Sequence, residues 1–165
     1  MKLKSLFTMA FVASLFQSCM GILKPVPNVP DCDLKEYTYR STGMTSFPTE
    51  DISVSLLSDG RVQLTRLDKE NWGERESYYV GTEVLQQVKE IIREENMMGY
   101  KDHYRTKLDV LDGTSWGLTA TFVDGTQIRS GGYMAWPKDD GIDRIKTYLY
   151  SVKSDSIAPV PVEED

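Results

Sequence analysis

Two Asp-Gly pairs, Asp59-Gly60 and Asp124-Gly125, each lie between runs in which apolar and polar residues alternate, and that pattern confines the chain to hairpins with one apolar face. In the first, Ile52, Val54 and Leu56 alternate with Ser53 and Ser55, and Val62 and Leu64 resume beyond the turn. A three-residue loop with Gly60 in the left-handed conformation pairs Leu56 with Val62 and Val54 with Leu64, keeping every apolar residue on one side. A two-residue loop does not. The second hairpin repeats the logic: Trp116, Leu118, Ala120 and Phe122 turn at Val123-Asp124-Gly125 and return through Ile128, opposite Ala120. Its other side carries Gly117, Thr119, Thr121, Gln127 and Arg129, the small and polar set of a solvated or partner-binding sheet surface.

Two more strands are suggested, one over residues 36–41 by the alternating Tyr37 and Tyr39, and a short one over residues 76–80. Helical spacing takes over after Gly81, where Thr82 can cap a segment with Val84, Leu85, Val88, Ile91 and Ile92 on one stripe, ending at Asn96 or Gly99. After Pro137, Asp139 or Asp140 can cap a second helix bearing Ile142, Ile145, Leu149 and Val152. The expected fold is α+β: an antiparallel sheet built from two hairpins, with two helices on one face, in the order hairpin, helix, hairpin, helix. A single domain over residues 34–153 follows, between a spacer over 19–33 rich in proline (Pro25, Pro27, Pro30) and an acidic flexible tail over 154–165.

The formal charge is −6, which argues against nucleic acid and against general attraction to anionic lipid. His103 is the one histidine, so a zinc site needing two imidazoles, or a Cys and His cluster, has no ligands, and a serine triad has no local signature. Asp139, Asp140 and Asp143 lack the order of a calcium loop and read as helix capping. Glu74, Glu76, Asp109 and Asp112 contain no carboxylate pair more specific than any acidic chain offers. No catalytic residue, metal or cofactor is implied.

The segment with most binding potential is Ser130-Gly-Gly-Tyr-Met-Ala-Trp-Pro137, between the last strand and the second helix. It presents Tyr133, Met134 and Trp136 from a connection that is ordinarily polar, either as a plug under the sheet or as a contact surface; the plug is favoured for Trp136. Trp72, in a charged loop without apolar periodicity, is read as an exposed aromatic. Candidate binding residues are thus Trp72, Tyr133, Trp136 and Arg129.

At the start of the chain, Lys2 and Lys4 precede an apolar run from Leu6 to Phe16, followed by Gln17, Ser18 and Cys19. This arrangement resembles a lipobox, and the Ser18-Cys19 ending resembles that of Bacteroides-type lipoproteins, although Phe16 and Gln17 depart from the strict pattern. An ordinary secretory signal is the alternative. The resemblance implies that residues 1–18 are a signal peptide, that Cys19 carries the lipid (palmitate or a similar acyl chain), and that the protein sits in the cell envelope, on the outer membrane facing the periplasm. Cys32 is then a lone thiol; without acylation a bridge to Cys19 becomes possible. The stretch Leu111-Asp-Gly-Thr-Ser-Trp116 with Ser130–Pro137 resembles a domain of uncharacterised bacterial lipoproteins, which implies no activity and no site residues. The expectation is a non-catalytic module anchored by its N-terminal lipid and binding a protein, peptide or glycan. An envelope hydrolase using acidic residues is the alternative.

The anchor is directly testable. Cys19→Ala is expected to move the protein from the membrane to the soluble fraction, because each buried acyl methylene supplies about 0.8 kcal/mol of membrane affinity. A variant that stays membrane-bound through high-salt washing would contradict the lipoprotein reading.

Overall fold

The computed structural model describes residues 27–44, 47–67, 74–107, 112–153 and, for the backbone alone, 158–159. Cys19 and Trp72, with most of the spacer and tail, lie outside the described residues.

The chain runs through β1 (Leu34–Thr42), β2 (Pro48–Leu56), β3 (Val62–Leu67), β4 (Arg75–Val80), α1 (Glu83–Glu94), a 3-10 turn at Met97–Gly99, β5 (Tyr104–Arg105), β6 (Ser115–Phe122), β7 (Gln127–Tyr133), α2 (Gly141–Ser151) and β8 (Ala158–Pro159). All eight strands join one sheet in the order β5-β7-β6-β1-β2-β3-β4-β8. The expected antiparallel sheet of two hairpins is therefore corrected. The sheet is mixed, since β5 runs parallel to β7 with Tyr104 beside Gly132, and β1 to β4 form a four-stranded meander rather than a hairpin with loose companions. Periodicity could not reveal β5, whose two residues are too few to alternate. Nor could it reveal the joint between the two halves, which is the non-local pairing of β1 with β6.

Within those halves the turn chemistry decides the register. Val54 faces Leu64 and Leu56 faces Val62, while Ala120 faces Ile128. Both loops have three residues, with Gly60 at φ 84° and Gly125 at φ 87°, a conformation that costs a residue without a Cβ little. In each, the Asp side chain accepts the backbone N–H two residues on, Asp59 from Arg61 at 3.0 Å and Asp124 from Thr126 at 2.9 Å.

One sheet face is apolar and carries the core. Tyr37 and Tyr39 from β1, Ile52 and Val54 from β2, Val62 and Leu64 from β3, and Trp116, Leu118, Ala120 and Phe122 from β6 pack in a single cluster with Val88, Ile91 and Ile92 of α1 and Ile142, Ile145 and Leu149 of α2. The helices thus share one face, as the pattern implied. Polar anchors tie them down at their ends. Arg66 of β3 donates to the carbonyls of Leu149, Tyr150 and Val152 at 2.9 to 3.3 Å, satisfying the acceptors that the last turn of α2 leaves open. Arg144 of α2 pairs with Glu94 and Glu95 at the end of α1, and Lys89 donates to the Asp31 carbonyl at 3.1 Å.

Thr82 occupies the cap position of α1 without a side-chain capping bond; at α2 it is Asp139, one residue before the cap position, whose carboxylate accepts the Gly141 N–H at 3.1 Å and the Tyr100 hydroxyl. Asn96 ends α1 in the left-handed conformation, φ 54°. Among the described residues no helix is long and apolar enough to cross a membrane.

Candidate functional site

Among the described residues, the sheet is open on the face away from the helices. Register carries a row of polar residues straight across six strands: Arg129 (β7), Thr119 (β6), Thr38 (β1), Ser53 (β2), Thr65 (β3) and Ser77 (β4). Five of these are hydroxyls, on strands about 4.8 Å apart. A parallel row reads Gln127, Thr121, Glu36, Ser55, Gln63, Tyr79. The sequence pattern had placed Gly117, Thr119, Thr121, Gln127 and Arg129 on this face, and the register puts them there.

Next to the hydroxyl row the surface drops. Gly117 of β6 lies opposite Gly131 of β7, so two neighbouring strands present no side chain at the same level, and Arg40 of β1 flanks them on the other side of Gly117. The result is a shallow depression of about 420 Å³ lined by Thr38, Arg40, Gly117, Leu118, Thr119, Arg129, Ser130 and Gly131, with the acidic Asp102 at its edge. The two glycines have different reasons to be there. A Cβ on Gly131 would come within 2.9 Å of the Trp116 carbonyl oxygen, so the fold itself requires that glycine. A Cβ on Gly117 would meet nothing within 4 Å, and its φ is not positive. Glycine in a strand interior weakens the strand, and packing here demands none. The open space above Gly117 is what its missing side chain preserves.

The depression sets Arg40 and Arg129 against one lining carboxylate, Asp102, in a chain whose net charge is negative. Asp51 is held by Arg75 at 2.6 Å and only loosely by Arg40 at 3.7 Å, so two guanidiniums share one carboxylate. Arg129 is exposed and forms no ion pair among the described residues.

Of the predicted binding residues, Arg129 and Tyr133 project from the same side of β7 and straddle Gly131. Trp136 belongs elsewhere. It is 43% exposed, and it lies near the Tyr39 side chain, on the helix-covered side. The expected plug under the sheet is instead Trp116, 5% exposed, whose ring stacks on Tyr39 and packs at a tilt against Tyr104, and whose Nε1 donates to the Ala135 carbonyl at 2.8 Å. This contact explains the second glycine of the loop motif: a Cβ on Gly132 would sit 2.6 Å from Trp116 Nε1. The loop follows the tryptophan, with Met134 at φ 52° donating its N–H to the Thr114 carbonyl.

Beside Trp136 lies the other polar cluster of interest. Lys146 of α2 contacts Glu50 and Asp143, each at 3.0 Å, and lies over the Tyr39 ring. Burial works against the ammonium, but the hydrogen bonds it donates to Asp143 and Glu50 outweigh it and raise its pKa. Among the described residues no group of acids, cysteines and histidine is arranged to hold a metal, and His103 is exposed.

The sequence matches no protein-family model and no curated protein. The site therefore rests on its geometry. Sequence reasoning missed Arg40 and Thr38, which reach the site only through the β1–β6 pairing. It also passed over the glycine floor, although the Ala120 and Ile128 pairing, extended three residues, already places Gly117 against Gly131.

The two tryptophans should separate in a thermal melt. Trp116→Ala is expected to cost about 3 to 5 kcal/mol through the cavity it leaves, whereas Trp136→Ala should cost less than about 1 kcal/mol. Equal losses, or a larger one at Trp136, would show that the loop and not the sheet holds the buried anchor.

Proposed function

We propose that this chain is a lipid-anchored, non-catalytic binding module of the cell envelope, and that it binds through the open sheet face around Gly117 and Gly131. The observation that carries the reading is Gly117. It sits mid-strand, in open space, with no packing or backbone reason for lacking a side chain. Around it stand the donors of Arg40, Arg129, Thr38 and Thr119. Folded proteins place few precise polar groups around a concavity when they bind.

The anchor fits this geometry. β1 starts at Leu34, where Asp33 accepts the Val123 N–H, so the chain joins the sheet at the end carrying the 123–125 turn. A lipid at Cys19 would hold that end toward the membrane and leave the open face sideways, free to meet a partner. The hydrolase alternative needs carboxylates poised for acid and base work, and the pair best placed, Glu50 and Asp143, shares one lysine.

A second surface is favoured by one specific observation. Met44 and Phe47 are each 77% exposed in the connection between β1 and β2, at the sheet end that also carries Met134 and Trp136. An apolar tip of this kind would suit a protein partner. One comparison separates the two surfaces. Gly117→Val should leave the melting temperature unchanged or raised, because a β-branched residue suits a strand, and should abolish capture of partners from envelope extracts. Trp136→Ala should retain capture. Loss of capture in Trp136→Ala but not in Gly117→Val would transfer the function to the tip.

A further inference from the structure

Resting on the reading of the open face as the binding surface, we infer that its ligand is a carboxylate-bearing glycan: the anionic group sits over the Gly117–Gly131 floor between Arg40 and Arg129, and the sugar chain runs along the hydroxyl row. Three independent features converge on this chemistry.

The first is charge. In a chain of formal charge −6, the depression is flanked by Arg129, which forms no ion pair among the described residues, and by Arg40, whose partner Asp51 is bound more closely by Arg75, against a single lining carboxylate, Asp102. Arg40, Arg75 and Arg129 against Asp51 and Asp102 leave a small positive excess that attracts an anion, and a guanidinium fork matches a carboxylate's two oxygens. The excess is small, so it suits a singly charged group rather than a densely charged polyphosphate, which the acidic remainder of the molecule would repel.

The second is the row beyond the depression. Thr119, Thr38, Ser53, Thr65 and Ser77 stand side by side on five adjacent strands. A hydroxyl both donates and accepts, and so does each hydroxyl of a sugar. Thr65 and Ser77 already show such reciprocity, their oxygens 2.9 Å apart. Gln63 and Gln127 in the neighbouring row add amides with the same double capacity.

The third is shape. The ligand would lie on a sheet face, where backbone N–H and C=O groups are already used by the ladder, so a peptide could not be recognised by strand addition. Beside the glycine floor the face carries hydroxyls and amides rather than apolar pockets for side chains.

The test titrates the full chain with three probes of matched length: a hyaluronan hexasaccharide, in which carboxylated and neutral sugars alternate; a neutral N-acetylglucosamine hexamer; and a Glu-Ser alternating hexapeptide. The hyaluronan oligosaccharide should bind, the neutral hexamer should bind at least about tenfold more weakly, and the peptide should not bind. Arg129→Gln should weaken the hyaluronan affinity at least about tenfold, and Gly117→Val should abolish it with the melting temperature preserved. Equal affinity for the neutral hexamer, still lost in Gly117→Val, would overturn the anionic assignment while leaving the open face as the binding surface. Binding of the peptide as tightly as of hyaluronan would overturn the glycan assignment. If no probe binds and partner capture survives Gly117→Val, the reading of the face falls with it.

Discussion

Among the described residues, two helices of twelve and eleven residues cannot cover both sides of an eight-stranded sheet, and the arrangement of the sheet's two faces follows from that shortage. A helix lays a strip about 10 Å wide on a sheet, so a pair covers one face at best. The chain meets this constraint by sorting most strand residues by parity. Ile, Val, Leu, Trp and the β1 tyrosines point at the helices and most Thr, Ser and Gln point away, while Arg66, Ser41 and Ser130 on the covered side and Tyr79 and Tyr133 on the open side are exceptions. A polar open face needs no partner for stability, which leaves it available for function.

Strand β1 makes the arrangement one sheet rather than two hairpins. It pairs along its length with β2 on one side and β6 on the other, and its Tyr37 and Tyr39 lie at the centre of the core. Burial pushes the Tyr37 phenol well above its usual pKa, so it stays neutral, and its hydroxyl has no hydrogen-bond partner among the described residues. Tyr39 is better served: its hydroxyl lies near the polar side chains of Trp136 and Ser41, and its ring stacks on Trp116. That chain of contacts links the core to the loop after β7, and it also explains why Gly132 cannot be larger. Binding on the open side and order in the loop on the covered side are connected through the same two strands, since Gly117 neighbours Trp116 and Gly131 neighbours Gly132.

Local chemistry was legible in the sequence where it was self-contained. The Asp-Gly turns determined both hairpin registers to the residue, because a left-handed glycine admits only one loop length that keeps Val54 and Leu64 on the same side. The helical stripes were equally plain. Long-range pairing was not: nothing local shows that β1 abuts β6, so neither the mixed sheet nor the approach of Arg40 to Gly117 could be read. The tryptophans show the same division. Trp116 falls in a clear alternation and is buried, while Trp136, judged from its size alone, was expected inside and lies half exposed. Size does not choose a side of the sheet; parity does.

The central claim is that contacts are made through the open face and not through the helices. Site-specific photo-crosslinking in intact cells tests it most directly, with a photoreactive residue placed at Thr119 on the open face or at Glu90, exposed on the outer side of α1. The account predicts a discrete crosslinked species from position 119 and none from position 90. Crosslinking from position 90 with none from 119 would contradict it.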